Sequence, residues 1–587
     1  MKSKRSMPRP ATPDAPIAFA SLAEMPPLPV SLGSTLNNKT GTWRYIRPLY
    51  EDKTPPCNHA CPAGNDIVRY IGALREGNPQ AAWRILVAEN PLPGVCGRVC
   101  PHPCERECNR REFGGAIAIH ALERFLADEA AAHAWAPERS QAHRAGRIAV
   151  VGSGPAGLSC AYHLARLGYE PTVYEARNQP GGLLRYGIPA YRLPKDVLDR
   201  EIAAIERLGV RFVLNRRLGD SLAWQELAAA DAIFLAIGQS SSRPLQVPGE
   251  SAVGVISGLD FLRRVAEGES VGAAAGMKAI VIGGGNTAID AARTALRLGA
   301  SVTVAYRRTQ AEMPAIADEV AEAREEGVAF RFLAAPIEVL TRSGCACGVR
   351  FQEMRLGAPD ASGRARPEPV AGQEFTLPAD WVLVATGQEL DPGPLRSSGV
   401  AIEHGHIVVG TATQTGVARV FAGGDAATGE GTVAQAIGSG KRAALAIDHY
   451  LRTGSLEGLE LPQGTAAHVA PRRVAQAVVR VNDLNADYIT PEPAPRLPGR
   501  TPRDLVGDLA EINLGLSTQA AMNEATRCIS CGTCVSCDTC LVFCPDVAIA
   551  RAEGGRYAIA YEYCKGCGIC ATECPRSALR MEMEEGL

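Results

Sequence analysis

The feature that most restricts what this chain can fold into lies near its end. Between Cys528 and Cys574 stand ten of its nineteen cysteines. Cys534, Cys537, Cys540 and Cys544 form a C-x-x-C-x-x-C-x-x-x-C run closed by Pro545. Cys564, Cys567, Cys570 and Cys574 repeat it, closed by Pro575. This is the spacing of bacterial two-cluster ferredoxins, in which the fourth cysteine of each run crosses to the other cluster. Cys534, Cys537, Cys540 and Cys574 are expected to hold one [4Fe–4S] cluster, and Cys564, Cys567, Cys570 and Cys544 the other. Zinc or disulfides are the competing uses of these thiols, but two complete runs, each with its proline, favour clusters. Cys528 and Cys531 are left over.

How the other thiols are used depends on compartment. The N-terminus opens Met1-Lys-Ser-Lys-Arg5, but Pro8, Pro10, Pro13 and Pro16 break up the adjoining stretch, so no export signal is read there. Cysteines in such a chain are expected to be metal ligands in the cytoplasm. No apolar run approaches the roughly 20 residues of a membrane span. The formal net charge is −2 with both signs mixed, which suggests neither a nucleic-acid partner nor an anionic membrane surface. The 587 residues make roughly four domains' worth of chain.

Residues 1–45 read as a loosely ordered arm. Cys57, Cys61-Pro62, Cys96, Cys100-Pro101, Cys104 and Cys108 come next, with helix-like stretches over 67–77, 79–88 and 116–132 between and after them. Cys104 and Cys108 fit one helical turn, which would put both thiols on one face. A small helical iron–sulfur domain is the simplest reading, with zinc as the alternative.

At Arg147 the texture changes. A short apolar strand, 148–151, runs into Gly152-Ser-Gly154-Pro-Ala-Gly157, then a helix to about Leu167, then a strand 172–174 ending at Glu175. These are the parts of a dinucleotide-binding βαβ unit: glycines for the tight turn, a helix N-terminus for the pyrophosphate, an acid for the ribose. A second unit begins with the strand 279–282, then Gly283-Gly284-Gly285-Asn286-Thr287-Ala288 and a helix to about Leu298. Its next strand, 301–306, ends in Arg307-Arg308 instead of an acid. A guanidinium pair would bind a 2′-phosphate, which favours NADP(H), with NAD(H) as the alternative. The blander reading is that both arginines sit on a solvated strand end. Two units mean two nucleotides, FAD on the first and a nicotinamide on the second. Leu235 to Gly238 and Val384 to Gly387 close buried strands on either side of the second unit, which is therefore an insertion in the first. Asp425, after Gly423-Gly424, can hold a ribityl hydroxyl. The helix starting at Thr432-Val433 can face the flavin's pyrimidine ring.

Several stretches now carry a family resemblance. Gly181-Gly182-Leu183-Leu184-Arg185-Tyr186-Gly187-Ile188-Pro189, Arg192-Leu-Pro-Lys195, Tyr306-Arg-Arg308 with Met313-Pro314, and Ala422-Gly-Gly-Asp425 resemble the small (β) subunit of NADPH-dependent glutamate synthase. The same module recurs in dihydropyrimidine dehydrogenase and in the large subunit of NADH-dependent ferredoxin:NADP oxidoreductase. The resemblance covers about Tyr50 to Leu451, and implies that Gly182, Leu183 and Arg185 belong to the FAD site. With its ferredoxin tail the chain is similar to the iron–sulfur flavoprotein serving dissimilatory sulfite reductase and to flavoprotein subunits of 2-oxoacid:ferredoxin oxidoreductases. The family also implies a ligand scheme. Its N-terminal domain opens with Arg-Cys-x-x-Cys, which is missing before Cys57 here, whereas Arg527-Cys528-Ile-Ser-Cys531 has that form. The chain is thus expected to return to its own N-terminal domain, with Cys57, Cys108, Cys528 and Cys531 holding one cluster. Cys61, Cys100, Cys104 and Glu123 would hold another, a solvated helix carboxylate being the other reading of Glu123. Fifteen cysteines and Glu123 then make the sixteen ligands of four [4Fe–4S] clusters, leaving Cys96, Cys160, Cys345 and Cys347 over. Cys160 reads as core, and Cys345 and Cys347 as a weak candidate for redox or metal chemistry.

The expected architecture is multidomain α/β. A flexible arm (1–45) and a helical N-terminal Fe–S domain (46–140) precede two nested Rossmann-like domains, FAD-binding (141–262 and 377–455) and NAD(P)H-binding (263–376). A connector (456–526) and a bacterial-type ferredoxin domain (527–587) complete the chain. The expected activity is electron transfer between NAD(P)H and ferredoxin or a larger redox complex, through FAD and the clusters. No catalytic side chain is singled out, and either a homodimer or a hetero-oligomer is compatible. The alternatives are a glutamate synthase small subunit and a non-catalytic relay that binds nucleotide as a structural or sensing ligand.

Overall fold

The computed structural model describes residues 20–21, 39–272, 276–359, 363–429, 431–459, 461, 477–500 and 507–584. The chain divides into two compact units, Cys57–Arg473 with Glu492–Cys528, and Met1–Pro56 with Val474–Pro491 and Ile529–Leu587. The expected arm falls largely outside the described residues.

The larger unit begins with helices α1 (Ile67–Arg75), α2 (Pro79–Glu89), α3 (Pro93–Val99) and α4 (Ile119–Ala132). Asn78 starts α2 by accepting from the Ala81 amide at 3.0 Å, with Pro79 at the first helical position. The helices bury one apolar stripe each, including Ile67, Tyr70, Leu74, Leu86, Leu122 and Leu126. Cys104 and Cys108 do not share a helical face. The helix there spans only Pro103–Arg106, and Cys108 has extended backbone.

Next along the chain come β1 (Ile148–Val151), α5 (Pro155–Arg166), β2 (Thr172–Tyr174), β3 (Arg211–Val213) and β4 (Ala232–Leu235). After these stand β5 (Val255–Ser257), β6 (Lys278–Ile282), α6 (Asn286–Arg297), β7 (Ser301–Tyr306), β8 (Ala329–Phe332), β9 (Trp381–Val384), β10 (Val420–Ala422) and α7 (Val433–Thr453). Two parallel five-stranded sheets result, β10-β4-β1-β2-β3 and β8-β7-β6-β9-β5. Strands β1, β4 and β9 are buried throughout, as sheets covered on both faces require. The second sheet takes in Val255–Ser257 and Trp381–Val384, so it reaches beyond the expected limits of 263 and 376 on both sides. Val384 to Gly387 therefore closes a strand of the second sheet, not of the first. An antiparallel meander of Ala334–Arg342, Cys345–Pro359 and Ala365–Pro378, not foreseen from the sequence, packs Val339, Val349 and Phe351 against β6 and β9. Cys345 and Cys347 stand exposed on its middle strand.

The larger unit closes with α8 (Thr518–Thr526), capped by Ser517, which accepts from the Ala520 amide at 3.3 Å. Ala521 and Ala525 are fully buried in the core of the helical module. Glu524, 1 % exposed, accepts from the Ala118 amide at 2.7 Å and pairs with Arg527. Arg527 also donates to the Gly115 carbonyl at 2.9 Å, and Arg110 donates to the Arg527 carbonyl at 3.1 Å. The chain does return to its N-terminal helices.

In the smaller unit the strand Ile46–Tyr50 pairs antiparallel with Leu579–Met583. The sequence reading assigned residues 46–50 to the helical module; they instead complete the cysteine-rich lobe. Arg44 secures the join, donating from Nε to Glu584 at 2.8 Å. The hairpin of Ile549–Arg551 and Tyr557–Ile559 is the counterpart pair in the lobe's other half. Among the described residues no helix is long and apolar enough to cross a membrane.

Glu524→Ala would leave Arg527 buried without its carboxylate, a loss of about 3–5 kcal/mol at the seam. Hydrogen exchange over residues 116–132 and 518–528 should accelerate in that variant. Unchanged exchange there would show that the ion pair does not hold the returning segment.

Candidate functional site

A cavity of about 460 Å³ in the larger unit receives both glycine turns. Gly152, Ser153 and Gly154 line it from the first, Asn286 and Thr287 from the second. The glycines do two different jobs. A Cβ on Gly152, whose φ is +104°, would strike the Ala236 carbonyl, and one on Gly157 would strike the Gly152 carbonyl. Cβ atoms on Gly154 and Gly285 would meet nothing. Backbone is thus packed tightly behind each turn and left open in front of it, at the N-termini of α5 and α6. That arrangement fits a nucleotide diphosphate, which needs close approach to bare amides.

Glu175 is 6 % exposed and lines the cavity. One carboxylate oxygen accepts from the amide and hydroxyl of Ser153, and the other from the Arg177 amide at 2.9 Å. Gly182 lies against Gly154 of the first turn, and Leu183 lines the cavity. Gly424, Asp425, Thr432 and Val433 line the cavity as well. Burial raises the Asp425 carboxyl, and the Gly431 amide opposes this. Thr432 caps α7 by accepting from the Gln435 amide at 3.3 Å. Arg185 is turned away: its Nε donates to the Pro180 carbonyl at 2.7 Å and it pairs with Asp199. Gly283 packs against the Ala385 carbonyl, Ala288 lies in the core of α6, and Gly387, at φ +133°, precedes the cavity-lining Gln388. The two arginines after β7 part company. Arg307 is exposed, while Arg308 is 4 % exposed and donates from Nε to the Ala365 carbonyl at 2.8 Å. Sequence reading did not single out Arg192 and Asp290 for the site, yet both line this cavity.

A second, small cavity lies in the helical module. Cys61, Cys100, Cys104 and Glu123 line it, with Cys96, His102 and His120. Glu123 is 6 % exposed and accepts from Asn65 Nδ2 at 2.6 Å, so it is not a solvated helix carboxylate. Burial pushes its carboxyl up to about 7. Burial also pushes the Cys61 thiol up to about 11 and raises Cys100 and Cys104. Thiolates in such a place need a compensating cation, which an iron–sulfur cluster supplies. Cys57 is buried close by, and Cys108 lies beside Cys528, which packs on the same core. Cys531 belongs to the smaller unit, buried with Val479 and Leu484.

The two cavities are neighbours. Val99 and Pro101 line the large one while Cys100, between them, lines the small one. Val433 and Ala436 line the large one while Ala434 lines the small one. A single layer of residues separates them.

In the smaller unit the thiols fall into two groups. Cys537 and Cys574 bear electrostatically on both Cys534 and Cys540, and Cys544 and Cys567 on both Cys564 and Cys570. The halves repeat in detail. Cys544 Sγ accepts from the Ala548 amide at 3.3 Å, and Cys574 Sγ from the Ala578 amide at 3.3 Å.

Residues 146–440 match the pyridine nucleotide-disulphide oxidoreductase family. Residues 49–135 match dihydropyrimidine dehydrogenase domain II, 4Fe-4S cluster, and residues 557–580 a 4Fe-4S binding domain. The chain is 39 % identical over 511 residues to the NADP(+)-dependent formate dehydrogenase subunit beta of Moorella thermoacetica, covering 81 % of this chain and 70 % of that one. It is 37 % identical over 527 residues to the NADPH-Fe(3+) oxidoreductase subunit beta of Geobacter sulfurreducens, covering 81 % and 75 %. It is 37 % identical over 418 residues to the glutamate synthase [NADPH] small chain of Escherichia coli, covering 68 % and 89 %. The chain therefore belongs to the pyridine nucleotide-disulphide oxidoreductase family, in its glutamate synthase small-chain-like branch, as a flavin-dependent NAD(P)H oxidoreductase that uses FAD, NADP(H) and [4Fe–4S] clusters.

Proposed function

We propose that this chain passes electrons between NADP(H) and a redox partner subunit, from the cavity shared by the two glycine turns through the helical module. The observation that carries this reading is the single layer, Val99 to Pro101 and Val433 to Ala436, between the nucleotide cavity and the thiol-lined one. FAD, when bound, accepts a hydride as a pair of electrons, and [4Fe–4S] clusters take electrons singly.

The protein's own contribution is binding and exclusion. The open amides at Gly152 to Gly154, with the N-terminus of α5, would hold the FAD pyrophosphate, and Glu175 its ribose. Gly182 and Leu183 would cover it, Asp425 would accept from the ribityl chain, and the N-terminus of α7 at Thr432 and Val433 would face the ring. Asn286 and Thr287 would receive the nicotinamide nucleotide's diphosphate. Arg307, the exposed member of its pair, suits a 2′-phosphate. Cys61, Cys100, Cys104 and Glu123 would ligate the cluster nearest the flavin. Cys57, Cys108 and Cys528 would contribute to a further one. The cysteines of the smaller unit would complete a total of four clusters, in the crossed pattern. The thiols must stay reduced, which fits the cytoplasm. Relatives described as β subunits and small chains support a larger redox complex as the partner.

NADPH added without oxygen to the loaded protein should bleach the flavin absorbance first and the broad iron–sulfur absorbance after it. No bleaching by either nicotinamide would leave only the relay reading. Cys528→Ser should lower the iron content from about sixteen to about twelve atoms per chain while flavin bleaching by NADPH persists. Iron content equal to the wild type would remove Cys528 from the ligand set.

A further inference from the structure

The flavin-side and nicotinamide-side sheets are joined covalently by two crossings, where Ser241–Ser242 pairs with Gln388–Glu389. So short a ladder would let the two halves swing. Away from it, they are tied by a buried cluster that neither nucleotide turn requires.

Tyr191 and Arg192 belong to the flavin half and reach between α6 and the helix Ala317–Glu325 of the nicotinamide half. Arg192 holds both carboxylate oxygens of Asp290, at 3.0 and 2.8 Å, and its Nε lies 2.8 Å from Glu319. Arg293, fully buried, pairs with Glu319, Glu322 and Glu326, and Arg297 with Glu326. The Tyr191 ring is completely buried beside two of these guanidiniums, 3.9 Å from that of Arg297 and 5.1 Å from that of Arg293. Charges alone would tie the halves weakly, because an ion pair parted into water is rehydrated on both sides. Tyr191 adds the part that water does not return: its apolar ring surface would be exposed on opening. The Arg192 guanidinium adds direction, because its planar fork sets Nη1 on Asp290 and Nε beside Glu319 at the same time.

A strap from the connector then covers the seam. The Ile512 amide donates to the Tyr191 carbonyl at 3.0 Å, and Ile512 packs on that ring. The Gly507 amide donates to the Arg297 carbonyl at 3.1 Å. Glu511 pairs with Arg98 of α3 and Arg124 of α4, at 2.7 and 3.0 Å. One short segment thus touches the flavin half, the nicotinamide half and the helical module. Arg192 and Asp290 also line the nucleotide cavity, so the tie lies where the two nucleotides would meet.

We propose that Tyr191, Arg192 and segment 507–514 form a latch that holds the two halves in one fixed arrangement, making Arg192 a positioning residue for hydride transfer. This rests on the reading that the two glycine turns hold FAD and NADP(H). Arg192→Met should slow flavin bleaching at saturating NADPH about 100-fold. The NADPH concentration for half-maximal rate should move less than about threefold. Arg192→Lys, which keeps the charge but not the fork, should fall between. In the nucleotide-free protein, hydrogen exchange over 191–193 and α6 should accelerate in the Met variant. A Met variant that bleaches at the wild-type rate, or whose exchange is unchanged, overturns the latch. Should that variant not fold, Glu511→Gln and Ile512→Ala, which touch only the strap, are expected to show the same exchange signature; wild-type exchange in both overturns the latch equally. A wild-type protein bleached by neither nicotinamide would overturn the functional reading instead, and the exchange comparison would still report on the tie.

Discussion

Two glycines on α7 set the distances on which the rest of the larger unit depends. A Cβ on Gly438 would strike the Pro62 carbonyl, next to Cys61, and one on Gly440 would strike the Ala156 carbonyl in the first turn of α5. Neither glycine serves a turn; both sit inside a helix of 21 residues, where glycine costs about 1 kcal/mol against alanine. The compensation is close approach. Helix α7 lies against the helical module on one side and the nucleotide-binding turn on the other. Lys441 and Glu89 form a buried ion pair across the first contact, and across the second the Ser159 hydroxyl of α5 donates to the Ile437 carbonyl at 2.7 Å. The layer between the two cavities is thin because these residues are small.

The same logic explains the division of labour among the cysteines. Cys100 is reached through Val99 and Pro101, which face the nucleotide cavity, so the thiol points to one site and its neighbours to another. Cys104 and Cys108 separate for a related reason. The helix Pro103–Arg106 ends before Cys108, which is thereby released toward Cys528. Helix α8 brings Cys528 back by burying Ala521, Ala525 and the carboxylate of Glu524.

Whatever is decided locally was legible in the sequence. Strand, glycine turn and helix follow one another directly along the chain at 148–167 and at 279–298, so they could be placed nearly to the residue. Cysteine spacing likewise encodes the ferredoxin pattern without reference to the rest of the fold. Features decided at long range were not legible. Ile46–Tyr50 finds its partner at Leu579–Met583, and nothing in a five-residue strand reveals a partner so far along the chain. The two strands at one side of the second sheet, Trp381–Val384 and the edge strand Val255–Ser257, were misplaced because a parallel strand is a short apolar run wherever it pairs. Arg308 could be read as a phosphate ligand from its position after β7, but the meander that takes its side chain lies 57 residues on. Arg185 belongs to a family motif, yet its contacts are with Pro180 and Asp199.

The central claim is that the nucleotide cavity and the thiol-lined cavity are successive stations separated by one layer of α7 and α3. Anomalous diffraction at the iron edge from crystals of the loaded protein tests it most directly. The account predicts iron flanked by Cys61, Cys100, Cys104 and Glu123, with flavin density on the opposite side of Val433 and Ala434. Iron missing from that pocket, or zinc in its place, would contradict it.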